Sequence, residues 1–179
     1  GYVEETGAAQ HYRDSRITTI YEGTTAIQAN DLIGRKFIKD KGQGLLALIS
    51  EMKNSVDDFD LIDDDLETAS QELHNQIERT ENIITFILSE EKHREYLSGA
   101  VSFYFLMMLG TLIGGWLAVR SIEISLKALQ SDSIDSDFYE AKLISSKFFV
   151  LSILPKVNFY ADSIEKGADL VMEMKEELF

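Results

Sequence analysis

One carboxylate near the start of the chain stands where it could act as a base. Glu22 lies among apolar and small neutral residues in the segment 17–28, Ile-Thr-Thr-Ile-Tyr-Glu-Gly-Thr-Thr-Ala-Ile-Gln. Burial in such a setting would raise the pKa of the carboxyl group towards neutrality, which improves a base. An acidic residue at a helix start has a second explanation, because the helix dipole stabilises it there. Such helix-start signals are common, so the residues alone favour the second explanation.

The other candidates for chemistry are weaker. Histidines occur at positions 11, 74 and 93, and they do not have the spacing of metal ligands. The aspartates between Asp57 and Asp65 lack the glycine and the final glutamate of an EF-hand loop, so we interpret them as a solvated acidic loop. No motif supports Ser-His-Asp catalysis. We therefore predict no metal site.

The elements that must position Glu22 are predicted to be helices. The chain has one proline, Pro155, and long stretches without a helix breaker. Residues 1–16 are expected to form a loop and a polar helical turn. Apolar residues at helical spacing predict further helices at about 24–38, 44–58, 65–92, 95–130 and 136–178. The predicted fold is all-α, an antiparallel four-helix bundle.

The predicted buried faces follow from the same spacing. In the first three of these helices they are Ile27, Leu32, Ile33, Phe37 and Ile38; Leu45, Leu48, Ile49, Met52 and Val56; and Leu66, Ala69, Leu73, Ile77, Thr80, Ile84 and Ile87. In the last helical stretch, 136–178, the residues predicted to be buried are Ala141, Ile144, Phe148 and Leu151, followed by Tyr160, Ile164, Val171, Met174 and Leu178.

Local signals predict where these helices start and break. Thr24 or Thr25 can cap the helix at 24–38, and Asp63 or Asp64 the helix at 65–92. Pro155 should produce a kink or break just before it. The polar residues Lys39 to Gly44 are the best candidate for a domain boundary.

Residues Ala100 to Val119 form a run of 20 residues without a charge, which is long enough to span a bilayer. Polar residues and glycines dilute this run, and the neighbouring helices are amphipathic. A buried bundle helix is therefore the favoured interpretation, and we predict no membrane span. Gly110, Gly114 and Gly115 would then let another helix approach closely near Trp116.

Composition excludes several classes of function. The chain has 179 residues, with 17 basic and 31 acidic side chains and a formal charge of −14. Nucleic-acid binding is not expected, because no basic patch could neutralise phosphates. The chain has no cysteine, so disulfides and thiolate metal sites are excluded. The first residues do not resemble a signal peptide, and we expect a cytoplasmic protein.

A family resemblance decides between the two explanations of Glu22. Residues 1 to about 36 resemble the end of the catalytic α-helical region of the acyl-CoA dehydrogenases. The resemblance rests on Gly1-Tyr2 with Glu4-Glu5, Tyr12-Arg13-Asp14 with Arg16-Ile17, and Ile20-Tyr21-Glu22-Gly23-Thr24 with Ile27-Gln28. The remaining residues resemble the extra C-terminal helical domain of large acyl-CoA dehydrogenases, including those for long-chain and 3-methylmercaptopropionyl-CoA. The resemblance therefore implies two domains, 1–39 and 40–179.

The resemblance also implies roles for individual residues. Glu22 would remove the α-proton of an acyl-CoA thioester while a β-hydride passes to FAD. Its backbone N–H would help bind the thioester oxygen, in the manner of an oxyanion hole. Gly23 would leave room for the acyl group, and Thr24, Thr25 and Ala26 would contact FAD. Tyr21 is expected to pack rather than react.

The resemblance implies partners as well, namely the acyl-CoA substrate, an electron-transfer flavoprotein and a second copy of the chain in a homodimer. The parts of the family that bind FAD and acyl-CoA are not in these 179 residues. We therefore expect the isolated chain to lack FAD and dehydrogenase activity. The alternative hypothesis is a non-catalytic helical interaction or dimerisation module.

Overall fold

The computed structural model contains only helices and turns in the residues that it describes. These residues are 3–18, 21, 24–59, 63–89, 94–131 and 135–178, without the side chains of residues 6, 94–98, 169, 172 and 176. The all-α prediction is confirmed. The α-helices are α1 Ala8–Ile17, α2 Thr25–Asn30, α3 Gln43–Asp57, α4 Asp64–Ser89, α5 Arg94–Gln130, α6 Ser136–Phe148 and α7 Lys156–Glu173.

Two of these helices continue as π-helix, and two short 3₁₀ turns lie near the ends of the chain. The π-helical segments are Asp31–Ile38 after α2 and Phe149–Ile153 after α6, and the 3₁₀ turns are Glu4–Thr6 and Glu176–Leu178. Where the sequence predicts a loop and a polar turn before residue 17, the structure has the 3₁₀ turn followed by the ten-residue helix α1.

Helix α5 is the centre of the bundle, and α2, α4, α6 and α7 pack around it. Its fully buried side chains are Phe105, Met108, Leu112, Val119 and Ile122. Within the described residues one helical stretch, Gly99–Gln130, has the length and hydropathy needed to cross a bilayer. Helices α2, α4, α6 and α7 pack on this stretch, but slightly less than half of its most apolar part is buried, so the interpretation as a buried bundle helix stays a prediction.

The buried faces predicted for α3 and α4 are confirmed. In α4 all of the predicted stripe is buried, from Leu66 through Thr80 to Ile87. In α3 the side chains of Ile49, Met52 and Val56 are buried. In both helices the charged residues fall on the opposite side, so the hydrophobic effect allows only one orientation.

The buried face predicted for α6 is wrong. Ala141, Ile144, Phe148 and Leu151 are all exposed. The face that packs on the bundle carries instead the partly buried Leu143 and the buried Ser146 and Val150. Helix α6 has apolar residues on both faces, and a small serine on the inner face permits close packing.

Four further positions predicted to be buried are exposed. Ile27 points away from the bundle, whereas Ile33 and Phe37 on the same helix are buried. The others lie near the end of the chain, after the buried Ala168, and they are Val171, Met174 and Leu178. Val171 lies in the last turn of α7, and Met174 and Leu178 follow the end of this helix at Glu173.

The break expected before Pro155 is present. The Leu154 amide donates to the Phe149 carbonyl at 2.9 Å, a spacing of five residues, and α7 begins at Lys156. A proline has no N–H and clashes with the preceding helical turn, so the wider π-helical turn accommodates it.

The turn between α2 and α3 is built by an aspartate and a glycine. The carboxylate of Asp40 accepts hydrogen bonds from the backbone N–H groups of Gly42 and Gly44 at 2.9 and 3.0 Å. Gly42 adopts a left-handed conformation with φ of 75°. This turn lies at the predicted boundary between 1–39 and 40–179, and that division stays a prediction.

Asp63 caps α4, as predicted. Its Oδ1 accepts hydrogen bonds from the backbone N–H groups of Asp65 and Leu66 at 2.9 and 3.2 Å. Thr24 occupies the N-cap position of α2 but makes no side-chain capping hydrogen bond.

A charged cluster joins α4 to α7. Arg79 donates to Glu165 Oε2 at 2.6 Å and to Asp162 Oδ1 at 2.8 Å. The pKa of Arg79 is raised, mainly by the hydrogen bond to Glu165, and the pKa of Glu165 is lowered, mainly by the same bond. The pKa of Asp162 is lowered mainly by Lys166 and then by Arg79. Because each charged side chain of the cluster has an oppositely charged partner, we interpret the cluster as structural and assign it no catalytic role.

Two glycines of α5 allow the close approach that the sequence predicts. A Cβ at Gly114 would lie 2.7 Å from Phe149 Cζ, and one at Gly115 would lie 2.6 Å from Leu154 Cδ1. Gly110 does not share this role, because a Cβ there would meet open space. Trp116 also contributes to the packing, since its Nε1 donates to Ser55 Oγ of α3 at 2.6 Å.

Gly115→Ala is expected to destabilise the fold by about 1–3 kcal/mol, because Leu154 is fully buried and has no room to move. Gly110→Ala is the matched control on the same helix. It should be neutral or stabilising by up to about 1 kcal/mol, since alanine is the better helix former. Urea unfolding followed by circular dichroism measures both. Equal effects of the two substitutions would contradict the close packing at Gly115.

Candidate active-site segment

The segment that carries Glu22 connects α1 to α2. Helix α1 ends at Ile17, and the Tyr21 amide donates to the Ile17 carbonyl at 2.9 Å. The chain is extended at Thr24, with φ of −82° and ψ of 166°, and α2 begins at the next residue. Glu22 and Gly23, the predicted base and substrate-contact residue, lie outside the described residues. Their roles stay predictions.

The predicted cofactor-contact residues are accessible. Thr24, Thr25 and Ala26 are all exposed, and the Thr24 side chain is not used to cap α2. The first backbone N–H groups of a helix have no partners within the helix and can donate to an acceptor outside it. These residues therefore fit the contact with FAD implied by the family resemblance, through free hydroxyl and amide donors.

The apolar side chains around this segment are exposed. They include Tyr12 and Ile17 on α1, Tyr21, and Ile27 on α2. Helix α1 buries only one residue, Ala9, among its described side chains. Sequence patterns could not distinguish these residues from core residues. An apolar residue type indicates that the side chain is buried, but it does not indicate the surface on which the side chain packs. The exposure of these residues leaves apolar side chains uncovered at both ends of the segment 18–24.

The contacts of the Arg-Asp element are peripheral. Arg13 Nη1 lies 2.8 Å from Glu4 Oε1, and both side chains are exposed. An exposed pair of this kind stabilises by at most about 1 kcal/mol. The pair connects α1 to the 3₁₀ turn before it.

A separate apolar groove lies between α2, α3 and α5. It has a volume of about 480 Å³ and is open at Gly110. Its lining includes Leu32, Leu45 and Leu109 and the charged residues Lys36 and Asp40, of which Asp40 is already used to hold the turn before α3. No histidine lines it. We therefore assign it no chemistry.

The histidines and the acidic residues were also considered as possible metal ligands. Among the residues described here, no group of three or more His, Asp or Glu side chains could hold a metal ion. His74 contacts Asp57 Oδ1 at 3.1 Å through Nε2 and the Ser70 carbonyl at 2.9 Å through Nδ1. His74 therefore has structural partners.

The described residues form an all-helical bundle, and the segment that carries the predicted base, Glu22, precedes most of that bundle in the chain. Residues 48–175 match the family model described as acetyl-CoA dehydrogenase C-terminal like. Residues 1–37 match the model described as acyl-CoA dehydrogenase, C-terminal domain. The chain belongs to the acyl-CoA dehydrogenase family, of which it contains C-terminal parts.

Similarity to individual proteins agrees with this assignment. The chain is 29% identical to a broad-specificity linear acyl-CoA dehydrogenase, FadE5, of Mycobacterium tuberculosis, over 100% of this chain and 30% of that protein. It is 33% identical to a 3-methylmercaptopropionyl-CoA dehydrogenase of Ruegeria pomeroyi, over 86% of this chain and 26% of that protein. A stretch of 28 residues is 68% identical to a mitochondrial short-chain specific acyl-CoA dehydrogenase of Bos taurus, over 16% of this chain and 7% of that protein.

The chain thus spans less than a third of the length of these relatives. The family that the sequence motif indicates is confirmed, together with the subgroup that carries an extra C-terminal domain.

Proposed function

We propose that this chain is the C-terminal part of a FAD-dependent acyl-CoA dehydrogenase and that Glu22 is its base. The reaction removes a proton from the α-carbon and a hydride from the β-carbon of an acyl-CoA thioester, and a double bond forms between the two carbons. FAD, when bound, supplies the hydride acceptor. Glu22 takes the α-proton onto its carboxylate, and Gly23 leaves room for the acyl group.

The residues after Glu22 would hold the cofactor. Thr24, Thr25 and Ala26 offer exposed hydroxyl and backbone donors at the start of α2. Exclusion of water from the segment would raise the pKa of Glu22 towards the working pH, which suits a general base. The backbone N–H of Glu22 would stabilise the negative charge that develops on the thioester oxygen.

The observation that carries this proposal is that two successive parts of the chain match two C-terminal domain models of acyl-CoA dehydrogenases. Residues 1–37 match the catalytic C-terminal domain model, and residues 48–175 match the appended one. The exposed apolar side chains of Tyr12, Ile17 and Ile27 support it, because a complete enzyme would bury them.

The second candidate function concerns residues 40–179, which we propose as a helical interaction or dimerisation module without chemistry of its own. The exposed apolar face of α6 favours it. The two functions are compatible, because they belong to different parts of the chain. An electron-transfer flavoprotein as electron acceptor, a homodimer and a cytoplasmic location complete the proposal.

Flavin content and turnover test the proposal. The complete protein that carries this sequence should be yellow, with one flavin per chain, and should reduce an artificial electron acceptor when given acyl-CoA. The isolated 179-residue chain should be colourless and inactive, because the remaining two thirds of its relatives' length are not in it. A complete protein without flavin or acyl-CoA turnover would contradict the proposal, as would a stoichiometric flavin complex of the isolated chain.

A further inference from the structure

Residues 25–38, which form α2 and the π-helical segment after it, belong to the core of the bundle. Ala29 and Ile33 are fully buried, and Phe37 is 3% exposed. Positions four apart lie on one face of a helix, so these three side chains form a single buried stripe. Both α2 and the π-helical segment pack on α5. The position and rotation of residues 25–38 are therefore set by the bundle.

The contact with α5 leaves this helix little freedom to shift. The ring centroid of Phe37 lies 4.8 Å from that of the fully buried Phe105. Ile33 is among the largest fully buried side chains of the described residues. A shift of the helix would separate the two rings and open voids in a core, and protein cores are packed as densely as organic crystals. The bundle therefore holds the helix in one place.

This core connects two parts of the chain that match different family models. Ile33 and Phe37 belong to residues 1–37, which match the acyl-CoA dehydrogenase, C-terminal domain model. Phe105 belongs to residues 48–175, which match the acetyl-CoA dehydrogenase C-terminal like model. The three side chains are members of one hydrophobic cluster. The helix that follows the proposed base is thus built into the appended helical part.

Helix α2 starts close to the proposed base in the sequence. Thr24 is the N-cap residue of this helix, and its carbonyl accepts a hydrogen bond from the Gln28 amide at 3.1 Å. Only Gly23 lies between Thr24 and Glu22. A displacement of α2 would therefore be passed to Glu22 through the covalent chain.

Helix α1, on the other side of Glu22 in the sequence, is held much less firmly in the described structure. Ala9 is the only buried residue among its described side chains. Its main contact is with the 3₁₀ turn Glu4–Thr6. Within the described residues, α2 is therefore the element that ties the Glu22 segment to a hydrophobic core.

We propose that Ile33 is a positioning residue for the dehydrogenation reaction. By packing α2 onto α5, it holds the Glu22 carboxylate at the distance from the acyl α-carbon that proton transfer requires. Misplacement of a reacting group by about 1 Å can slow a reaction about 100-fold. The appended helical part then contributes to catalysis without supplying a reacting group. The inference rests on the proposed function, because it requires Glu22 to be the base.

A matched pair of substitutions in the complete protein tests this role. Ile33→Ala and Ile122→Ala both truncate a fully buried isoleucine, and Ile122 lies about 25 Å further along α5 than Phe105. The protein is mixed with an excess of the linear acyl-CoA that the parent turns over fastest, without an electron acceptor. The loss of flavin absorbance then measures the rate of the chemical step per bound flavin. Ile33→Ala should lower this rate about tenfold to a hundredfold, and Ile122→Ala less than about twofold. Equal rates for the two variants would overturn the proposal, because a loss of stability alone affects both.

A double-mutant cycle with Glu22→Gln separates positioning from a general structural role. Because Ile33 acts through the Glu22 carboxylate, Ile33→Ala should slow the Glu22→Gln protein by less than about threefold. A structural role would slow both backgrounds by the same factor, and that result would overturn the proposal. A Glu22→Gln protein as fast as the parent would instead contradict the base assignment itself, and the proposal with it, so the two failures are distinguishable.

The valine variants make the same comparison with a smaller cavity. Ile33→Val should lower the rate of flavin bleaching about twofold to fivefold, whereas Ile122→Val should leave it unchanged. This pair decides the question if Ile33→Ala does not yield folded protein. A bleaching rate that is the same in both valine variants would overturn the proposal.

Discussion

Phe105→Ala is expected to lower the free energy of unfolding of the chain by about 3–5 kcal/mol. Phe105 is the largest of the fully buried side chains among the described residues, and it lies in the first half of α5. Its ring centroid is 4.8 Å from that of Phe37, at an angle of 47°. Alanine would leave a cavity at the place where α2, which follows the Glu22 segment, packs on the bundle. Urea unfolding measures the loss.

Phe103→Ala on the same helix is the matched control. Phe103 is about half exposed, so its removal should lower the stability by less than about 1 kcal/mol. A double-mutant cycle with Phe37→Ala should give a coupling energy of about 0.5–1.5 kcal/mol between the two rings. Equal losses for Phe105→Ala and Phe103→Ala would contradict the shared core of α2 and α5.

The predictable parts of the fold are those with one apolar face. Helix α4 shows this most clearly, because its apolar stripe runs from Leu66 to Ile87 with charged residues on the other side. Only one orientation buries the stripe, so periodicity alone identifies the core. The break at Pro155 was equally predictable, since it follows from the missing N–H of one residue.

Helix α6 could not be oriented from its sequence, because it carries two apolar faces. One contains Leu143 and Val150, and the other contains Ile144 and Phe148. Periodicity finds both and does not choose between them. The choice is made by the shape of the bundle, where the glycines of α5 accept Phe149 and Leu154. These contacts join parts of the chain that are distant in sequence.

The family was predictable from the segment around Glu22, whereas the roles of the site residues stay predictions. The residues around Glu22 indicate the family, and the family models confirm it. The chain spans less than a third of the length of its relatives, and Glu22 lies outside the described residues. The exposed side chains of Tyr21 and Ile27 illustrate this, because their apolar character predicts burial that this chain does not provide.

Glu22→Gln in the complete protein is expected to reduce kcat for acyl-CoA by about 10²–10⁴-fold, the contribution typical of a general base. Glutamine has nearly the same shape but cannot accept the α-proton as a carboxylate does. The flavin should stay bound, because the proposed contacts to it come from Thr24, Thr25 and Ala26. Glu51→Gln, at an exposed position of α3, is the control and should retain full turnover.

The most direct test of the account is therefore a paired measurement on Glu22→Gln, namely its turnover of acyl-CoA and its flavin absorbance per chain. We predict that turnover is almost abolished while one equivalent of flavin remains. Turnover near that of the parent enzyme, with the flavin still bound, would contradict the assignment of Glu22 as the base.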